Sequence, residues 1–230
     1  MSQKVCQNCN HVNAENAKFC MNCGKKIDDN PKITEKVDKA EKSTNSQQDL
    51  TQIVDNVSER KKLAESLGQT KGLSMDAIRK NLGMLMAMLE DENALVREAA
   101  VRASVNIGKV NDEMALEVIP LISEMISDTD KFVRVESLKG LGALCTSREQ
   151  FATIAAPKVI ECLADADAGV RYRAILVMDQ IGSAFPKLFK SALVILQGIA
   201  DNDVDSKITR SEARSVKANL EKKLKDAGAL

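Results

Sequence analysis

The sequence has little of what many folds and catalytic sites require. Only 3% of its 230 residues are aromatic and none is Trp, so Ala, Leu, Val, Ile and Met must form the core. Such a composition favours helices over a β-sandwich. The single histidine, His11, lies near the N-terminus, so the rest of the chain cannot hold a Ser/His/Asp set. A glycine-rich phosphate-binding loop is also missing. These absences indicate an all-α protein that is not an enzyme.

The sequence also lacks a net charge and long apolar runs. The 33 basic and 33 acidic residues give a formal net charge of zero, so no overall field attracts nucleic acid or an anionic membrane. The densest apolar run, Met84–Leu89, is far shorter than the roughly 18 residues of a membrane span. The first residues, MSQKVCQNC, lack an apolar signal region. We therefore expect a cytoplasmic protein, in which cysteine pairs are metal ligands rather than disulfides.

Four cysteines form two CxxC pairs that are separated by ten residues. Two such pairs can bring four thiolates to the corners of one tetrahedron, the coordination of closed structural zinc sites. Asn10 and Gly24 follow the pairs, and both residue types tolerate the left-handed backbone that the knuckle turn needs. A redox or incidental cysteine cluster is the alternative. The pattern predicts one structural Zn²⁺ with the ligands Cys6, Cys9, Cys20 and Cys23.

The predicted zinc site leaves no room for chemistry at the metal. Four thiolates complete the shell, so no position remains for water. His11 lies two residues after Cys9, outside the knuckle spacing, and is better interpreted as a solvated loop residue than as a ligand. We predict no catalytic residue and no organic cofactor.

Residues 4–27 resemble the short zinc-ribbon domains found at the N-termini of many prokaryotic proteins. The shared pattern is a CxxC, then Asn13, then the run Ala17-Lys18-Phe19-Cys20-x-x-Cys23-Gly24. Asn10 departs from the Gly that many members have. The resemblance implies a small metal-held domain at residues 1–27. With four lysines against Glu15, this is the only basic region of the chain.

The next segment is polar. Residues 28–49 contain ten charged residues and only three apolar ones, Ile33, Val37 and Ala40. Such a composition cannot bury enough surface to offset the entropy of the chain. We predict a flexible charged linker at residues 28–48 and a helical domain at residues 49–230.

The helical domain contains a repeat with a period near 37 residues. Acidic residues recur at spacings of 37, 37 and 36, in the order Asp91, Asp128, Asp165 and Asp201. Six residues after each comes a basic residue, in the order Arg97, Arg134, Arg171 and Lys207. Coincidence in several columns is typical of stacked supersecondary units. Each Arg is expected to meet the Asp of its own or the neighbouring repeat, the alternative being that these charges only solvate the turns.

Each unit is interpreted as two helices joined at the acidic residue. Pro120 and Pro157 lie in the first helix of two units, and Gly108 and Gly182 suit C-terminal caps. Ser147 with Gln150 resembles a capping box. The fourth unit is more polar, as a C-terminal cap of a repeat array requires.

These units resemble HEAT-like repeats, through the Pro of the first helix, the Asp of the turn and the Val-Arg that opens the second helix. The resemblance covers about residues 74–226 and implies an α-solenoid of about four helix pairs. Phycobilin lyases and a di-iron hydroxylase acting on deoxyhypusine also have such repeats. The hydroxylase needs several His ligands, which this chain lacks.

Two further features concern packing. Residues 49–67 form an amphipathic pattern that ends at Gly68, and we expect this helix to cap the solenoid against Met84 and Met88. An adaptable methionine binding surface is the alternative. Cys145 and Cys162 are expected to be buried, inert thiols.

Together these features favour a non-catalytic scaffold or adaptor that binds a protein partner on the solenoid and makes a second contact through the zinc ribbon. The alternatives are a nucleic-acid-associated factor that uses the basic ribbon and, less favoured, a lyase-like enzyme. No membrane or small-molecule substrate is expected.

Overall fold

The structure of the protein is a computed structural model, which describes residues 3–5, 12–14, 56–204 and 206–230, with side chains in the last two ranges. The contacts divide the chain into two compact units, Met1–Thr44 and Asn45–Leu230. Each unit is described by itself.

In the first unit, a pair of short antiparallel strands flanks the first CxxC. Strand β1 (Gln3–Val5) pairs with β2 (Val12–Ala14), with Gln3 opposite Ala14 and Val5 opposite Val12. Residues 6–11, which include Cys6 and Cys9, connect the two strands. The other predicted ligands, Cys20 and Cys23, follow β2 in the sequence. All four cysteines lie outside the described residues.

In residues 56–204 and 206–230, nine α-helices follow one another. Their bounds are α1 Val57–Leu67, α2 Met75–Met88, α3 Ala94–Gly108, α4 Asp112–Glu124, α5 Lys131–Leu144, α6 Glu149–Glu161, α7 Ala168–Ala184, α8 Leu193–Asn202 and α9 Lys207–Asp226. Short 3-10 segments follow α4, α6 and α7, at Met125–Ser127, Cys162–Ala164 and Pro186–Ala192.

The helices form two layers. The odd-numbered helices α1, α3, α5, α7 and α9 pack side by side in sequence order, with extensive contacts between neighbours. In the other layer α4 packs on α6, and the 3-10 segment Pro186–Ala192 packs on both α6 and α8. One continuous apolar core of Ala, Leu, Ile, Val and Met runs between the layers. The predicted HEAT-like α-solenoid with an additional N-terminal helix is confirmed. No helix of this described part is long and apolar enough to cross a membrane.

Polar residues start the odd helices. The side chains of Asn93, Asp130 and Asp167 accept hydrogen bonds from backbone N–H groups two residues later and so cap α3, α5 and α7. Helix α6, in contrast, begins after Arg148 without a side-chain cap. The capping box predicted from Ser147 and Gln150 is therefore wrong.

Gly108 and Gly182 have a different role from the predicted C-terminal caps. Gly108 is the last residue of α3 and Gly182 lies inside α7, and the caps are Lys109 for α3 and Phe185 for α7. A Cβ atom at Gly108 would lie 2.9 Å from a methyl group of Leu144, and one at Gly182 would lie 2.6 Å from a methyl group of Leu220. The glycines are needed because neighbouring odd helices approach closely there.

The first helix packs differently from the expectation. Helix α1 is described from Val57, and it lies mainly against α3, with a smaller contact to α2. Gly68 ends it, as predicted. Met88 is buried and Met84 is half-buried in the core, whereas Met86 is exposed. Helix α1 is therefore the first member of the odd layer rather than a cover over α2.

Candidate functional site

A ladder of arginine–aspartate pairs runs along the turns between the even and odd helices. The Nε atoms of the four arginines lie 2.7–2.8 Å from an Asp carboxylate oxygen of the next turn, in the pairs Arg60–Asp91, Arg97–Asp128, Arg134–Asp165 and Arg171–Asp203. In the second and third pairs, Nη2 also donates to the other carboxylate oxygen, at 2.7 and 2.8 Å. Such bidentate pairs fix both partners in one geometry. The predicted ladder forms.

Three of the four ladder arginines also hold the turn of their own repeat. Nη1 of Arg97, Arg134 and Arg171 donates to the backbone carbonyl oxygen of the Asp six residues earlier, at 2.8–2.9 Å. The Asp carboxylate in turn accepts the N–H of the residue two positions later, as Asp128 does from Asp130 at 2.7 Å. Both expected arrangements of the arginine exist. It binds the Asp carboxylate of the neighbouring repeat and the backbone carbonyl oxygen of the Asp of its own repeat.

The fourth turn has a different register from the predicted one. The ladder residue is Asp203, which is buried, and not Asp201, which is exposed on α8 and accepts from Gln197. The matching basic residue is Arg210, whose Nη1 donates to the carbonyl oxygen of Asp203 seven residues earlier. Lys207 only begins α9. The fourth turn contains one additional residue, which shifts the register.

Sequence analysis also missed the first member of the ladder. Arg60 of α1 is 6% exposed and pairs with Asp91, which is 4% exposed. Because no Asp or Glu stands six residues before Arg60, no column marked it as part of a repeat. The signal available was its spacing of 37 residues from Arg97.

Electrostatics stabilise the charged forms of the ladder. Burial raises the pKa of Asp128, but the hydrogen bonds from Arg97 and from the Asp130 N–H outweigh burial and hold that pKa below its ordinary value. The hydrogen bond to Asp165 raises the pKa of Arg134. These groups remain ionised at neutral pH and are paired with one another. Neither can act as an acid or a base on a substrate.

The two thiols of the solenoid are unreactive, as expected. Cys145 is fully buried at the end of α5 and Cys162 is 5% exposed at the start of a 3-10 segment. Burial raises the pKa of both thiols to about 12. Because the thiolate is the nucleophile, both stay protonated and inert at neutral pH.

A cleft of about 320 Å³ lies beside the third ladder pair, lined by Ile126, Ser127, Asp128, Arg134, Glu161, Cys162 and Asp165. Its two aspartates are already paired with arginines, and its thiol is protonated. The described residues also contain no group of three His, Cys, Asp or Glu side chains placed to hold a metal ion.

Exposed apolar side chains recur at one position of the repeat. Leu95, Phe132 and Ile208 are the second residues of α3, α5 and α9, two residues before a ladder arginine, and they are 53%, 62% and 67% exposed. Gly169 stands at the same position of α7. Val204, in the fourth turn, is 88% exposed. We call Leu95, Phe132 and Ile208 the apolar row. Because packed helices lie about 8–10 Å apart, successive positions are spaced by about that distance.

The comparisons with known proteins support the two parts separately. A family model described as a zinc-ribbon domain matches residues 5–27, a range that contains all four CxxC cysteines. A search among curated proteins finds no match.

Several solved structures resemble the helical part. One engineered protein is 23% identical, with a TM-score of 0.55, and the alignment covers 81% of this chain and 88% of that one. A second is 16% identical, with a TM-score of 0.50 and coverages of 78% and 98%. A computationally designed armadillo repeat protein for modular peptide recognition is 22% identical, with a TM-score of 0.49 and coverages of 80% and 84%. The chain thus joins a zinc-ribbon sequence to a helical-repeat solenoid.

Proposed function

We propose that this protein is a non-catalytic scaffold that binds a protein partner along the apolar row of the solenoid, with the zinc ribbon as a second contact. The apolar row is the observation that carries the proposal. Leu95, Phe132 and Ile208 are each more than half exposed at the same position of three repeats. Covering the exposed part of each contributes about 1 kcal/mol to binding.

The ladder makes the apolar row suitable for binding. Each row residue lies two positions before an arginine that contacts its own turn, so the first turn of each odd helix is held in place. A surface that is ordered before binding loses less conformational entropy when a partner arrives. Gly169 occupies the row position between Phe132 and Ile208, so the row has no apolar side chain there.

The state of the ladder carboxylates and of the two solenoid thiols supports a non-catalytic role. The carboxylates of the ladder are paired, and the thiols of Cys145 and Cys162 are buried and protonated. The histidine-free solenoid has no base with an ordinary pKa near neutrality. Binding is therefore the activity that this surface supports.

We assign one structural Zn²⁺ to the ribbon, held by Cys6, Cys9, Cys20 and Cys23. The donor set fits, since four thiolates are the usual ligands of closed zinc sites, and the strand pair β1–β2 flanks the first CxxC. The metal supplies folding energy, on the order of 10–16 kcal/mol of apparent binding free energy in comparable peptides. Replacement Cys20→Ser should abolish zinc binding without reducing the helical circular dichroism signal. An unchanged zinc content would contradict this assignment.

The function is tested by affinity capture with matched variants. The full chain is compared with the double variant Leu95→Ser/Phe132→Ser and with Val194→Ser, which removes an apolar side chain that is 81% exposed on α8 outside the row. The double variant should lose the captured protein and Val194→Ser should retain it. Equal capture by both variants would refute the role of the apolar row.

A chain that begins at Asp49 separates the two contacts. Partners that are lost with the ribbon belong to the ribbon, and partners that are retained belong to the solenoid. If the captured partner is a nucleic acid, its affinity must fall steeply as salt rises, because phosphate contacts release counterions. That outcome would replace the scaffold proposal with the nucleic-acid alternative.

A further inference from the structure

We infer that Arg210, at the C-terminal end of the ladder, is a binding site for an aspartate carboxylate of a protein partner, in a segment with an apolar residue two positions before the aspartate. This inference rests on the proposed scaffold function and names part of what the partner must contain.

Four arginine–aspartate pairs within the chain show what an arginine at this position of the repeat binds. Arg60, Arg97, Arg134 and Arg171 each direct Nε at a carboxylate oxygen of the following turn. The sequence spacing of 31 or 32 residues and the Nε–carboxylate distance of 2.7–2.8 Å are nearly the same in all four pairs, and in the last three pairs this contact is an Nε–H hydrogen bond. We therefore expect a fifth arginine that is held in the same way to bind an aspartate carboxylate as well.

Arg210 is held in the same way. Its Nη1 donates to the backbone carbonyl oxygen of Asp203, the contact that Arg97, Arg134 and Arg171 make with Asp91, Asp128 and Asp165. Asp203 is itself buried and paired with Arg171, so the turn beneath Arg210 is fixed. Among the described residues, no carboxylate pairs with Arg210. The Nε and Nη2 groups of this half-buried side chain, which bind a carboxylate elsewhere in the ladder, make no hydrogen bond within the described residues.

The face of α9 near this site is unsuited to a further packed repeat. Val101, Leu138 and Ile175 are fully buried between successive odd helices, and the matching position of α9 is Arg214. One turn later, Lys217 and Glu221 form an ion pair on the same helix. A segment that contacts the first turn of α9 fits this surface better than an apolar helix pair.

The three regular turns define the chemistry of the ligand, whereas in the fourth turn Asp201 stands two positions before the ladder aspartate. In the three regular turns, a buried apolar residue stands two positions before the ladder aspartate: Leu89, Ile126 and Leu163. At the open end, Val204 and Ile208 are exposed beside Arg210 and can cover such a residue. The expected ligand is therefore an apolar residue, any residue and an aspartate, in that order.

A peptide taken from the chain itself tests the inference. The probe is the nonapeptide of residues 123–131, which contains Ile126-Ser127-Asp128, added to the full-length protein, and the control peptide carries Asp128→Asn. Binding is followed by NMR shifts of backbone amides in the first turn of α9. We expect the aspartate peptide to bind at least about fivefold more tightly than the asparagine peptide, because a bidentate charge-assisted pair is lost.

Protein variants complete the test. Arg210→Gln should remove the difference between the two peptides, Arg210→Lys should restore only part of it, and Lys222→Gln should leave it unchanged, because Lys222 is an exposed cation elsewhere on α9. No binding of the aspartate peptide, or equal binding of both peptides to the wild-type protein, would overturn the site. The apolar-row proposal fails separately, by equal capture with Leu95→Ser/Phe132→Ser and Val194→Ser.

Discussion

The three regular turns of the solenoid, at Asp91, Asp128 and Asp165, differ from the fourth turn at Asp203 in sequence but much less in geometry. In the regular turns the arginine follows the aspartate by six residues, and in the fourth it follows by seven. The arginine still reaches the carbonyl oxygen of its own turn. The contact that holds the turn is thus more constant than the spacing that reveals it in the sequence.

The largest difference in stability should come from two helix glycines, one in α5, which follows a regular turn, and one in α8, which precedes the fourth turn. A Cβ atom at Gly140 of α5 would lie 2.5 Å from a methyl group of Val105, whereas one at Gly198 of α8 would meet nothing within 4 Å. Gly140→Leu should lower the free energy of unfolding by about 3 kcal/mol or more, since overpacking displaces two helices. Gly198→Leu should leave it unchanged or raise it by up to about 1 kcal/mol through helix propensity. Urea unfolding followed by circular dichroism measures both.

The next largest effect tests the register of the fourth turn. Asp203→Ala removes a buried carboxylate from Arg171 and should lower the free energy of unfolding by about 2 kcal/mol, since it leaves a desolvated charge unpaired. Asp201→Ala removes only an exposed contact with Gln197 and should change it by less than about 0.5 kcal/mol. If the two variants were equally stable in urea, Asp203 would not be the ladder residue.

Acid should weaken the regular turns. The pKa of Asp128 is lowered in the folded protein, so its contribution to stability is fully present above its ordinary pKa of about 4 and is lost as pH falls through the lower folded value. We expect the free energy of unfolding to decrease in this range, and Asp128→Asn should abolish that decrease. Urea midpoints measured from pH 5 to pH 2 for the wild type and the variant provide the check. Parallel curves would show that another carboxylate dominates acid unfolding.

The smallest effect concerns the open end of the ladder. Arg134→Gln should lower the free energy of unfolding by about 2 kcal/mol, because it leaves the Asp165 carboxylate without its cation. Arg210→Gln removes only a hydrogen bond to a carbonyl oxygen and should cost about 0.5 kcal/mol or less. Thermal unfolding of the two variants compares them. A large loss from Arg210→Gln would mean that this residue is structural.

The sequence predicted the solenoid and the first three arginine–aspartate columns because both depend on a strict period. It misplaced the fourth turn because Asp201 and Asp203 are both acidic, and only the contact with Arg171 distinguishes them. It misassigned Gly108 and Gly182 because a glycine that permits close helix packing looks the same as a glycine that caps a helix. The apolar row was missed because helical periodicity does not show which apolar residues stay uncovered. The four zinc ligands stay a prediction.

Arg97, Arg134 and Arg171 each bond to their own turn and to the next one, and these paired contacts determine how the solenoid unfolds. An interior turn can open only if the pairs on both of its sides break, whereas the last turn is restrained by the pair on one side. Opening should therefore begin at the ends and spread inward, as in a one-dimensional array with nearest-neighbour coupling. A partner that supplied a carboxylate to Arg210 would act as the missing neighbour, and hydrogen exchange in α9 would slow when it bound.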